Sequence, residues 1–240
     1  MRPFTVLLCL LAAPVLADQT LRSPVQQATV LELYTSEGCS SCPPADRWLS
    51  GMLDHPGLWQ TLIPVAFHVD YWNYLGWEDR FATPAYGERQ RDYRRQGISN
   101  GVYTPGVMAG GDEWRSWRRR PDQVPLSKES VGVLELAPTG QAFEALFVPV
   151  AGTPGANTLH IAVLGFGMST PVRAGENKGR ELKHDFVVLG HRTFRGSAGK
   201  WSGKLPSTSQ AGQAERLALV AWVSADDRLG PIQAVGGWWQ

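Results

Sequence analysis

The pattern of apolar and polar positions changes character about halfway along the chain. In the first half, two short apolar runs rich in β-formers, Val30–Tyr34 and Leu62–Val69, predict buried strands. Between them Ala45-Asp46-Arg47-Trp48-Leu49 follows Pro43-Pro44, a pair that a first helical turn tolerates because its N–H groups lack intrahelical partners. That predicts a helix to about Leu53, ended by His55-Pro56-Gly57. Thr83-Pro84 supplies the cap and first position of a second helix, which runs through Tyr86, Arg89, Gln90 and Tyr93 to about Gln96 and is broken between Gly97 and Gly101. Pro105 opens another apolar run that closes at Gly110-Gly111, as a first-position proline in a strand allows. Beyond about Val131, helical periodicity fades. Runs rich in Val, Leu and Phe alternate with Gly, Pro and Ser clusters, which predicts strands at Val131–Ala137, Ala142–Val150, Leu159–Phe166, His184–Phe194 and Arg216–Val223.

This texture divides the 240 residues into a leader at 1–17, a first domain at 18–120, a linker at 121–130 and a β-rich domain at 131–240. Met1-Arg2, the apolar run from Phe4 to Ala13 and the small residue Ala17 before Asp18 have the form of a secretory signal peptide cleaved after Ala17. The run is shorter than the ~18 apolar residues of a spanning helix, and Cys9 lies inside it, which argues against a lipoprotein. The expected location is therefore the periplasm or the outside of the cell, with no stable membrane insertion after cleavage. Removing Arg2 leaves the 23 basic residues one fewer, in balance with the 22 acidic ones. A neutral chain gives no sign of a nucleic-acid partner or a membrane-surface role. A hydrophobic content of 43% is ample for a core.

Of three cysteines, Cys9 leaves with the leader, so only Cys39 and Cys42 remain. They sit where a strand hands over to a helix N-terminus, whose N–H groups and dipole favour thiolate. So small a loop gains little as a staple, and a close pair in an oxidising compartment points to redox chemistry: Cys39 as nucleophile, Cys42 as resolving thiol. An inert structural disulfide is the alternative. No second C-x-x-C or His pair completes a zinc site, and no metal or cofactor is expected. His68 and Asp70 end the second strand at the edge where α/β sheets bind ligands, either as a proton shuttle or as a structural pair. Cys39, Cys42 and His68 together also fit copper(I), which makes a copper-handling protein a rival reading. Trp72, with Tyr71, Tyr74 and Trp77, either walls a binding groove or packs a loop against the sheet. Arg89, Arg91, Arg94 and Arg95, and Arg115 with Arg118 to Arg120, read as solvated basic faces.

Strand, C-x-x-C helix, strand, helix, then Thr104-Pro105 before a hairpin is an order that resembles a thioredoxin-like domain. The words LYTSEGCSSCPPAD, FHVDYWNYLGWEDRFA, RQ…Y…VYTP and GENKGRELKH, in that order, resemble the secreted bacterial family catalogued as domain of unknown function 1223. The resemblance covers nearly all of the mature chain and implies a fold and a chemistry class. It implies a cis bond at Thr104-Pro105 beside the sulfurs, with the Thr104 backbone pairing to a substrate chain. Two positions depart from the family pattern: Gly106 stands in place of glutamine, and Arg80 in place of proline. The expected fold is α+β, an N-terminal thioredoxin-like α/β domain followed by an all-β, sandwich-like C-terminal domain. The expected function is a thiol–disulfide oxidoreductase working through a mixed disulfide, with protein or small-molecule thiols and disulfides as partners. Cys39 and Cys42 are the catalytic candidates, and Thr104, Pro105, His68, Asp70 and Trp72 the substrate-binding ones. A non-catalytic binding protein with a structural disulfide is the second rival. Oligomeric state stays open.

Overall fold

The computed structural model describes residues 20–226 and 228–239; the leader and Cys9 lie outside them. The first half supplies β1 (Leu21–Arg22), β2 (Thr29–Thr35), α1 (Pro43–Ser50), β3 (Leu62–His68), α2 (Pro84–Arg95), β4 (Gly106–Ala109) and β5 (Asp112–Glu113). The second supplies β6 (Gly132–Thr139), β7 (Ala142–Pro149), β8 (Thr158–Phe166), β9 (Met168–Pro171), β10 (Glu181–His184), β11 (Val187–Arg195), β12 (Lys200–Lys204), β13 (Arg216–Ser224) and β14 (Gln233–Trp239). One sheet of eight strands, ordered β14-β13-β8-β11-β3-β2-β4-β5, crosses both halves. β2 and β3 are parallel, in register from Thr29 opposite Leu62 to Thr35 opposite His68. β11 joins them where Val187 faces Ala66, whose N–H donates to the Phe186 carbonyl at 2.8 Å. A second sheet, β1-β6-β7-β12, packs on the far part of the first.

The expected thioredoxin-like α/β domain followed by a separate all-β domain is therefore overturned. The chain is mostly β, with two α-helices among the described residues. The reason lies in β8 and β13, which are buried at nearly every position and so have two faces to cover. Leu159, Ile161 and Val163 face the four-stranded sheet, together with Leu219, Ala221 and Val223. Ala162, Leu164, Phe166, Val220 and Trp222 face the other way, into a core shared with β2, β3 and α1. A free-standing sandwich would leave that second face in water, at a cost of roughly 25 cal/mol per Å² of apolar surface.

Several strands, β9, β10, β12 and β14 among them, escape the sequence pattern or blur into longer runs. β14 is the instructive one, because it carries the adjacent glycines Gly236 and Gly237. A Cβ on Gly236 would stand 2.7 Å from the Trp59 ring, and one on Gly237 2.6 Å from Leu21. The glycines let a tryptophan and a leucine press on opposite faces of a strand.

α2 carries an ion pair into this shared core. The Glu32 carboxylate on β2 accepts hydrogen bonds from Arg89 Nε (2.9 Å) and Nη2 (2.7 Å), and from the hydroxyls of Tyr34 (2.7 Å) and Tyr93 (2.7 Å). Arg89 is therefore buried, not part of the solvated basic face expected from the sequence. Its spacing from Tyr86 and Tyr93 puts it on the same helical stripe. Arg95 does stay exposed and Arg91 half-buried, paired with Glu88 and Asp92. Nearby, His160, His191 and Trp222 lie with their rings parallel, centroids 4.9–5.4 Å apart. Burial, then the Arg89 charge, pushes His191 down to about 3; the same causes and His191 itself hold His160 well below its usual range, so both are neutral.

Arg89→Ala leaves Glu32 buried without its counter-ion. We expect a loss of about 3–5 kcal/mol of stability, read from the midpoint of urea or guanidinium unfolding. A midpoint equal to that of wild type would remove this pair from the account of the core.

Candidate active site around the Cys39–Cys42 pair

β2 ends at Thr35, and the chain turns through Ser36-Glu37-Gly38 into the cysteines. The Cys39 N–H donates to the Ser36 carbonyl at 3.1 Å, and the Ser36 hydroxyl accepts the Gly38 N–H at 3.1 Å. Cys42 caps α1, its carbonyl accepting the N–H groups of Ala45 (2.8 Å) and Asp46 (3.1 Å). Cys39 and Cys42 are joined as a disulfide, Cα to Cα 5.5 Å. The sequence reading makes Cys39 the outer, accessible sulfur. In this oxidised state neither cysteine has exposed surface, although Ser40 between them does.

The cover comes from the second half of the chain. β8 and β11 are antiparallel neighbours, and the excursion between them is the β9–β10 hairpin. β8 ends and β11 begins beside the middle of β3, with Val187 opposite both Gly165 and Ala66, and the hairpin between them packs on α1 through β10. Asn177, fully buried in the loop joining β9 to β10, donates through Nδ2 to the carbonyls of Glu37 (2.8 Å) and Cys39 (3.0 Å). Glu176 accepts the Ser40 N–H at 3.0 Å. Arg180 holds the Asn177 amide oxygen at 2.9 Å. Arg80 fastens the other side, donating to the Thr170 hydroxyl (3.2 Å) and the Ser169 carbonyl (3.0 Å) of β9; that is its use where the family pattern has proline.

Beneath the loop lies a buried set of acids and imidazoles. Asp79 accepts the Glu37 N–H (2.9 Å) and the Phe81 N–H (3.0 Å) and pairs with His68 Nδ1 at 2.7 Å. Burial works against both charges, but their attraction and hydrogen bonding prevail, holding His68 above and Asp79 below their ordinary values. Thr35 donates to Asp46 at 2.7 Å, yet burial keeps the Asp46 carboxyl above its usual range against the pull of His184 and His68. The Trp77 indole donates to Glu37 at 2.9 Å, whose other oxygen stands 3.4 Å from His184 Nε2. Buried atoms Glu37 Oε1, His68 Nε2 and both ring nitrogens of His184 have no hydrogen-bond partner. Such a set can hold and pass protons beside the cysteine loop.

The other expected residues divide. His68 is paired with Asp79, not with Asp70; Asp70 lies instead against Gly87 of α2, an oxygen 3.0 Å from where a Cβ there would sit. Trp72 bridges two parts of the site. Its indole donates to the Thr104 hydroxyl at 2.7 Å, and its Cβ comes within 3.1 Å of where Gly38 would carry a Cβ. The Thr104–Pro105 bond is cis. Gly106 admits the Gln90 side chain, whose amide donates to the Tyr103 carbonyl at 2.7 Å. Among the described residues, no three His, Cys, Asp or Glu side chains are arranged to hold a metal ion. Glu37, Asp46, Asp79 and Asn177 were missed in the sequence, and His184 was read as the first residue of a strand. His184 had a signal, the alternation Leu182-Lys183-His184, which turns leucine and histidine to one face.

Two outcomes follow from this geometry. Asn177→Ala removes two hydrogen bonds that hold the cysteine loop, each worth roughly 1 kcal/mol. The disulfide should then be reduced by dithiothreitol at least about tenfold faster, equivalent to about 1.4 kcal/mol; an unchanged rate would show that the loop is not what shields it. A histidine whose folded pKa is raised stabilises fully below its unfolded value of about 6.5 and loses that contribution as pH rises through the folded value. The stability gap between wild type and His68→Gln, followed by thermal melts against pH, should therefore be widest near pH 6 and shrink in the alkaline range.

No curated protein matches the chain. A crystal structure of protein AGR_C_4864 from Agrobacterium tumefaciens is similar at 26% identity, with a TM-score of 0.56 over 88% of this chain and 95% of that one. The structure of HBP35 of Porphyromonas gingivalis is similar in fold at 12% identity, with a TM-score of 0.53 over 88% of this chain and 75% of that one. The family described as protein of unknown function DUF1223 matches residues 30–224, a span that includes the cysteine loop, the buried acid–imidazole set and the covering hairpin, and the chain belongs to that family.

Proposed function

We propose that the protein is a thiol–disulfide oxidoreductase whose working group is the Cys39–Cys42 pair, acting in the periplasm or outside the cell. The observation that carries this reading is the disulfide at the N-cap of α1, where the departing sulfur of Cys42 meets the positive end of the helix. A partner thiolate attacks the Cys39 sulfur, the Cys39–Cys42 bond breaks, and Cys42 leaves as thiolate. A second partner thiolate then attacks the partner sulfur of the mixed disulfide. Cys39 is released, and the partner holds a new disulfide. Two electrons pass to the protein, and the two protons given up by the partner thiols end on Cys39 and Cys42. Run backwards, Cys39 is the nucleophile and Cys42 resolves. Exchange in either direction requires the Asn177 and Glu176 contacts to release the loop.

The burial of both cysteines favours a second reading, a structural disulfide. Expression of Cys42→Ser in the native host, followed by non-reducing electrophoresis, separates the two. Catalysis gives mixed disulfides with Cys42→Ser and none with the Cys39→Ser, Cys42→Ser double variant. Absence of adducts, joined with no turnover of a peptide disulfide by wild type or by Asn177→Ala, would leave the staple.

A further inference from the structure

Beside the cysteine loop two depressions join into one groove. The first, about 480 Å³, runs from Ser41, between the cysteines, past Trp48 to Trp117 and Arg118. The second, about 350 Å³, continues from the same Trp117 and Arg118 to Thr104 and the cis-proline Pro105. Its floor is rigid: Trp48 and Trp117 pack with centroids 5.1 Å apart, and the Trp48 indole is pinned by the Pro121 carbonyl at 3.2 Å. Its rim is cationic. Arg115 and Arg118 line it and are exposed, and Arg119 and Arg120, next along the chain, are exposed as well. Arg115 is paired with Glu113 at 3.1 Å, a carboxylate that also accepts the Tyr103 hydroxyl. Arg118 rests over the Trp117 ring, 5.1 Å from its centroid, and among the described residues neither it nor Arg119 nor Arg120 makes an ion pair. The whole chain carries a net charge of only +1, so this is a local field.

We propose that this groove binds an extended, acidic segment of the partner polypeptide, with an apolar or aromatic side chain on the Trp48–Trp117 floor and carboxylates on Arg118 and its neighbours. The inference rests on the oxidoreductase reading and names its substrate class: acidic, unfolded or loop segments carrying cysteine. Aromatic floors with arginine at the edge are the arrangement in which a few residues dominate peptide binding, and the arginine fork suits carboxylates. The charge selects the partner and speeds encounter.

The test separates binding from chemistry. In the full chain carrying Cys39→Ser and Cys42→Ser, affinity is measured by calorimetry for two short capped peptides, each with serine for cysteine beside phenylalanine, one flanked by glutamates and one by lysines. We expect the glutamate peptide to bind better, to weaken with added salt, and to lose at least about fivefold in affinity with Arg118→Glu. The lysine peptide should gain with the same substitution. Arg195→Glu, on β11 away from both depressions, is the charge-matched control and should leave both affinities unchanged. Equal binding of the two peptides, no effect of Arg118→Glu, or an equal effect of Arg195→Glu overturns the proposal. Binding as expected with no disulfide turnover by wild type would leave the groove and remove the oxidoreductase; turnover without charge selection would do the reverse.

Discussion

β8 and β13 bury consecutive residues, so water has to be excluded from both sides of the sheet they form. One side is closed by β6, β7 and β12 in the manner of a sandwich. The other is closed only by the elements of the first half, with Trp59, α1 and α2 packed around Phe166, Trp222 and Ala234. Everything else depends on that double cover. It forces β11 against β3, merges two strand systems into one sheet, and brings the Glu32–Arg89 pair to the centre of the chain.

The same constraint builds the site. β8 ends and β11 begins beside Ala66 in the middle of β3, so whatever links them sits against the first half of the chain. The link is a hairpin that packs on α1 and reaches the cysteine loop through Asn177. Unpaired backbone groups in that loop would be costly if buried. Asn177 and Glu176 satisfy three of them, the carbonyls of Glu37 and Cys39 and the N–H of Ser40. The second half of the chain is thus a structural part of the cysteine environment.

Local structure was readable in the sequence. The runs Val30–Tyr34, Leu62–Val69 and Leu159–Phe166 are strands, and Thr83-Pro84 does open a helix, because each is decided by neighbours along the chain. Cysteine spacing and the Thr104-Pro105 word likewise pointed to the disulfide and to the cis bond. The architecture was not readable, since a continuous apolar run does not state what covers each face. Nor was the acid–imidazole set. Asp79 and His68 are eleven residues apart and Asn177 and Cys39 are 138 apart, and no periodicity links them.

The histidines of this fold are poised in opposite senses. His160 and His191 are packed among rings, resist taking a proton, and so make acid the enemy of the fold as pH falls from about 6.5 toward about 3. Against burial, Asp79 holds His68 above its ordinary value, so the contribution of that pair is lost as pH rises through its folded value. The native state is bracketed, with its greatest resistance to unfolding set in the interval where one pair of imidazoles has already let go and the third still holds on. These two burials mark out the acidity over which the cover and the core stay closed together.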